Sequence, residues 1–138
     1  MIDPLETIIT WLEAALISVS GRVAGKHRYG GGGWTDSQTG VSVHLDGGPP
    51  DLYAPVIRLR LELRIYADDQ VKVTGVWRDL IVLSRNTKRF SVAISGGKAA
   101  LVHYFKPASG LSIPYDEKLG MDVGVVFFDC LIGEKSLS

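Results

Sequence analysis

The stretch that decides the fold is PVIRLRLELRIYA, Pro55 to Ala67. Within it Ile57, Leu59, Leu61, Leu63 and Ile65 alternate without error against Arg58, Arg60, Glu62, Arg64 and Tyr66. That is the period of a β-strand, with an oily face and a charged one. A parallel strand covered on both sides would read as continuous apolar sequence, so the alternation predicts an antiparallel sheet with one face left to solvent or a partner. The oily face needs a cover, and an amphipathic helix is the nearest candidate.

Such a helix precedes it. Asp3 can cap a helix with Pro4 at its first position and Glu6 near its positive end, and Leu5, Ile8, Ile9, Leu12, Ala15 and Leu16 follow helical spacing, with Trp11 off the main stripe, either extending the apolar face or exposed. The stripe predicts that this helix covers the oily strand face, with Gly21 as a stop. Residues 21 to 40, rich in glycine, read as a mobile loop or a flared hairpin. Val41, Val43 and Leu45 alternate with Ser42, His44 and Asp46 as a second strand, ended by Gly47, Gly48, Pro49 and Pro50.

Downstream of Ala67, Asp68 or Asp69 can cap a second helix whose Val73, Val76, Trp77, Leu80, Ile81 and Leu83 recur at helical spacing up to about Arg85. Gly75 opposes it by about 1 kcal/mol relative to Ala. Phe90, Val92 and Ile94 alternate again, Gly96 and Gly97 suit a tight turn, and Ala99 to Phe105 form the return strand. Val123 to Ile132 is apolar enough to predict a central strand buried on both faces. The fold class is therefore α+β, a mainly antiparallel sheet packed against two helices, in a single domain spanning 1 to 138.

Chemistry is sparse in this pattern. Fifteen Lys and Arg balance fifteen Asp and Glu, so the whole chain exerts no long-range pull on nucleic acid or an anionic membrane. The longest apolar runs break before a membrane span's length, and Met1 to Pro4 open without the basic segment of a signal peptide. The one cysteine, Cys130, sits in an apolar run and reads as a small buried hydrophobe. The run Gly30 to Gly33 lacks the following Lys and Ser or Thr of a phosphate loop. Ser95, Gly96, Gly97 and Lys98 match a Ser-x-x-Lys spacing, but on a turn rather than at a helix start. His27, His44 and His103 lack the short spacings of metal sites, and the pairs Asp68 with Asp69 and Asp116 with Glu117 read as a helix cap and a solvated turn. No catalytic, cofactor or metal residues are assigned. The charged face Arg58, Arg60, Glu62 and Arg64 stands open to three readings: a wet sheet face, a subunit contact, or a guide for a polyanion.

Taken in order, these features resemble the small tail-terminator or tail-completion proteins of long-tailed bacteriophages. The likeness rests on the capped helix from Asp3 to Leu16, a strand ending in Gly47 and Gly48, and the long strand Ile57 to Tyr66 with Ala67. It continues through the helix carrying Trp77, Leu80, Ile81 and Leu83, and the late loop Tyr115, Asp116, Glu117, Lys118, Leu119 and Gly120 before the last apolar strand. The segment from Gly30 to Trp34 has no counterpart in that layout.

The resemblance implies a non-enzymatic virion protein without cofactors, made in the host bacterial cytoplasm and placed at the junction of tail and head. It would form a ring, commonly a hexamer, that caps the tail tube protein, ends its polymerisation and presents a docking surface for the head-tail connector protein. Non-specific contact with the genomic DNA in the channel would follow, and no contact with a membrane. Arg58, Arg60, Glu62 and Arg64 become candidates for a subunit contact or channel lining. Gly30, Gly31, Gly32, Gly33, Trp34, Asp51 and Tyr53 mark the candidate docking loops. A head-tail adaptor or a tube-like subunit is the alternative, and a small ligand-binding or enzymatic α+β domain is a third reading from another class.

Overall fold

The computed structural model of the chain describes residues 4–16, 19, 22–24, 39–45, 56–85, 90–93, 99–112, 115–116 and 121–134. Among these residues two helices and seven strands follow in the order α1 (Pro4–Ala15), β1 (Val23–Ala24), β2 (Gly40–Leu45), β3 (Val56–Ala67), α2 (Gln70–Arg85), β4 (Phe90–Ala93), β5 (Ala99–Pro107), β6 (Tyr115–Asp116) and β7 (Met121–Glu134). The strands make one curled sheet in the order β1-β2-β3-β7-β5-β4, antiparallel throughout except where β1 pairs β2 in parallel. The α+β class expected from the sequence is what forms.

The centre of the sheet is the pairing of β3 with β7, in register from Val56 opposite Gly133 to Ala67 opposite Asp122. On its other side β7 pairs β5 along one half, and the chain after β5 continues along the other half. There Ala108 N–H donates to the Phe127 carbonyl at 2.8 Å, Ser112 and Val125 exchange backbone bonds of 3.1 and 2.7 Å, and β6 closes the row. The turn expected at Tyr115 and Asp116 is thus a two-residue strand, held by β7 rather than by its own sequence pattern.

The register sorts the side chains. Leu59, Leu61, Leu63, Ile65 and Ala67 of β3 share a face with Cys130, Phe128, Val126 and Gly124 of β7 and with Val41 and Val43 of β2, and nearly all of these are buried. A bulge at His103 shifts the register of β5, since Val102 opposes Ile132 while Tyr104 opposes Leu131. A one-residue shift exchanges the faces of everything after it, which is how Phe105 joins Val102 on the buried side. There Phe105 stacks on Phe128, ring centroids 4.3 Å apart and planes at 3°, and meets the edge of Trp11 at 5.0 Å and 82°. Of the two readings of Trp11, extension of the apolar face is the one that forms, since its side chain is in the core.

Both helices pack on this face, with a division of labour that corrects the expectation for α1. α2 lies across β3, β5 and β7, whereas α1 touches β1, β2 and β4, strands from opposite ends of the sheet. Because the sheet curls, α1 spans its opening, and the oily face of β3 is covered chiefly by α2. The buried side of α1 is accordingly rotated. Thr7, Ile8, Trp11 and Leu12 are buried and Ala15 is exposed. The helix ends at Ala15, ahead of Gly21; Asp3, Gly21 and most of 21 to 40 lie outside the described residues, though β1 within that stretch is a strand rather than loop.

α2 begins where its cap predicts. Asp69 Oδ1 accepts the Lys72 backbone N–H at 2.9 Å, so Asp69 rather than Asp68 is the cap. Asp68 pairs with Lys72 Nζ at 2.6 Å one turn along. Val73, Val76 and Leu80 are fully or nearly fully buried, with Trp77, Ile81 and Leu83 packed at the margin. Close approach to the sheet is permitted by Gly124, where an added Cβ would collide with Val73 Cγ1 and lie 3.1 Å from Leu111 Cδ1. Cys130 is fully buried, and burial pushes its thiol pKa up to about 12, which makes it inert at neutral pH. The turn expected at Gly96 and Gly97, with Ser95 and Lys98, falls outside the described residues.

Candidate functional site

The other face of the same three strands carries the residues singled out for function. Period-two geometry places Arg58, Arg60, Glu62, Arg64 and Tyr66 on the side of β3 away from the helices. Arg58 and Arg60 are exposed, and Glu62 and Arg64 are partly so. Opposite them on β7 stand Leu131, Asp129, Phe127, Val125 and Val123 in that order. The structure therefore brings the four predicted residues together, and adds a neighbouring strand that the sequence reading did not connect to them.

Two of these arginines, Arg60 and Arg64, have partners that the fold supplies. Arg60 Nε lies 3.3 Å from Asp129 Oδ1 across the strand pair, with the two side chains 53% and 41% exposed. Arg64 Nε donates to Glu62 Oε1 at 2.6 Å along its own strand. That bond to Glu62, aided by Tyr66, raises the Arg64 pKa further. On β5, Lys106 Nζ sits 4.5 Å from the Tyr104 ring centroid, opposite Asp129. Exposed pairs of this kind contribute about 0–1 kcal/mol each, so they set the pattern of charge more than the stability.

β7 is where expectation and structure part. Its predicted burial on both faces holds on the helix side only. Val126, Phe128, Cys130 and Ile132 are fully buried, while Val125, Phe127, Asp129 and Leu131 on the outer face are half-buried. Both helices lie on the inner side, so among the described elements nothing packs over this row. Only at one end does the outer face have a core of its own, where Ala24, Tyr66 and Val123 cluster with Val125.

At that end a small polar network ties β2 to β3. Ser42 Oγ donates to Tyr66 Oη at 3.2 Å and shares a 2.8 Å hydrogen bond with His44 Nε2. Burial lowers the His44 pKa and nearby Arg64 lowers it further, against the pull of Glu62. A serine bonded to a histidine invites a nucleophile reading, but Ser42 is completely buried, so its hydroxyl is out of a substrate's reach and the pair acts as a strand tie. Among the described residues, no group of three or more His, Cys, Asp or Glu is placed to hold a metal ion. No described helix is long and apolar enough to cross a membrane.

The candidate docking loops, with Gly30, Gly31, Gly32, Gly33, Trp34, Asp51 and Tyr53, lie outside the described residues, as does His27. The residues that sequence reasoning missed are Phe127, Asp129 and Leu131. Their signal was present as an apolar run interrupted by a single charge, but which face each would take depends on the register with β3. In comparisons with known proteins, the chain matches no family model and no curated protein.

Proposed function

We propose that this chain is a structural, ring-forming subunit that caps the tail tube of a long-tailed bacteriophage, ends its growth and offers the docking surface for the head connector. In this reading the outer sheet face is a contact between subunits. The observation that carries it is the half-buried row Val125, Phe127 and Leu131 on the central strand, bordered by Arg58, Arg60, Glu62, Arg64 and Asp129. An apolar centre within a charged border is how protein interfaces are composed. It suits a subunit contact better than a DNA-lined channel, because a channel wall gains nothing from aromatic and aliphatic groups and because Glu62 and Asp129 offset the arginines. The tail-terminator assignment rests on the order of elements and on the resemblance, and the α+β fold supports it.

Incubation of the purified protein with assembled tail tubes, followed by pelleting and electron microscopy, tests the proposal. A single ring at the tube end is expected. Long cylinders of the protein alone would make it a tube subunit, and a folded protein that never pellets with tubes would remove the terminator reading.

A further inference from the structure

Of the three large hydrophobic side chains that stand exposed among the described residues, two belong to α2: Val71 at 79% and Val82 at 51%. They lie about three turns apart and so share one side of the helix. Continuing that side in alternate steps of three and four residues adds Asp68, Gly75, Arg78 and Arg85. This spacing is the seam of a helix pair. Asp68, Arg78 and Arg85 are exposed as well. Glycine is unfavourable inside a helix, and packing within the chain does not require it at 75, since an added Cβ would meet nothing within 4 Å.

The row is complementary to its own reversal. Laid against a second copy running the other way, Asp68 faces Arg85, Val71 faces Val82, and Gly75 faces Arg78, the shortest residue against the longest. Charge has the same symmetry. Asp68 and Asp69 outweigh Lys72 at the start of α2, whereas Arg78 and Arg85 outweigh Asp79 in its second half, and all six are exposed. Antiparallel packing therefore brings the acidic start of each helix to the basic end of the other and sets opposed helix dipoles side by side. A parallel pair would join like ends. Lys72 Nζ, 2.6 Å from Asp68 Oδ1, holds that carboxylate beside the first turn, and a carboxylate can accept from an arginine at the same time.

We propose that α2 pairs antiparallel with α2 of a second copy along this row, in the register that sets Val71 against Val82. The contact is isologous, so it gives a two-fold dimer. It uses the helix side of the sheet, leaves the outer face open, and does not depend on the ring reading above. One helix pair buries less than the roughly 1,200–2,000 Å² of a standard stable interface, so the dimer is weak, with a Kd on the order of 100 μM.

Disulfide trapping of the full chain under a mild oxidant, with folding checked by circular dichroism, tests the register. Cys130 is fully buried with its thiol pKa pushed up to about 12, so it stays silent. An equimolar mixture of Val71→Cys and Val82→Cys is expected to cross-link one copy of each, while either variant alone gives little product. Each variant cross-linking with itself would show a parallel pair and overturn the proposal. In sedimentation, Val71→Asp is expected to weaken dimerisation about 10-fold or more. Asp68→Arg and Arg85→Asp should each weaken it, and their equimolar mixture should restore it, because both facing pairs are then opposite in charge. A wild type that stays monomeric, with a cysteine mixture that does not cross-link, would overturn the pairing and leave the row to a different protein. Self-association untouched by Val71→Asp and by both charge reversals would overturn it too, and place the contact elsewhere on the chain.

Discussion

Phe127 and Phe128 are adjacent on one strand and live in different environments. Phe128 is completely buried and stacked on Phe105 beneath Trp11, while Phe127 points to the other side of the sheet, opposite Glu62 and only half-buried. Their contrast shows that hydrophobic sequence and burial within one chain are separate properties. A central strand that is apolar on both sides has one side satisfied by its own helices. The surplus on the other is what a second protein surface would cover.

The sharpest way to break the comparison is to truncate both rings in turn. Phe128→Ala is expected to cost about 3–5 kcal/mol in urea unfolding, against under about 1 kcal/mol for Phe127→Ala in the monomer; equal losses would show that the outer face is a core too. Next in size, Gly124→Ala drives a methyl into Val73 and is expected to cost about 1–3 kcal/mol. Gly75→Ala, where the space is open, should raise stability by about 1 kcal/mol. That opposite sign distinguishes a glycine required by packing from one that packing does not require. Replacing Arg58, Arg60 and Arg64 together by Gln should leave the fold intact, with a change of about 1 kcal/mol or less. Loss of the circular dichroism signature of the fold in that variant would refute the orientation of β3.

The smallest effect concerns pH. His44 has a folded pKa below its ordinary value of 6.5, so between those two values the unfolded chain binds more protons than the folded one. Its contribution is full above about pH 6.5, declines as the pH falls below that value, and levels off below the folded pKa. A melting temperature measured from pH 7.5 down to 5.5 should fall, and His44→Gln should flatten part of that slope. An unchanged slope would mean that the tie to Ser42 does not report on folding.

The parts legible in the sequence are those set by local periodicity. The alternation of β3, the stripe of α2 with its cap, the strand at Gly40–Leu45 and the burial of Cys130 all follow from neighbouring residues. What was not legible depends on distant partners. β1 and β6 are two residues each, too short to carry a period, and exist because β2 and β7 offer them an edge. The rotated face of α1, with Thr7 buried and Ala15 exposed, follows from the curl that brings both ends of the sheet to one helix. Ser42 and Tyr66 stand on the side that alternation marks as polar, yet they are buried with Ala24 and Val123 because β1 and β7 flank them. Of the candidate site, the four charged residues on β3 were readable. Phe127 and Asp129 entered only through register, which no local pattern fixes.

The pairing of β3 with β7 joins residues as far apart in sequence as 56 and 133. During synthesis the ribosome therefore delivers both helices and every other strand before the strand that makes the sheet one object. Until residues 121–134 emerge, β3 has a partner in β2 alone and β5 has one in β4 alone, leaving two separate fragments with oily faces. Contacts of such long range are slow to form and expose aggregation-prone edges meanwhile. The same strand carries the half-buried outer row Val125, Phe127 and Leu131, so a nascent chain exposes that row only once the strand that closes its own core has also emerged.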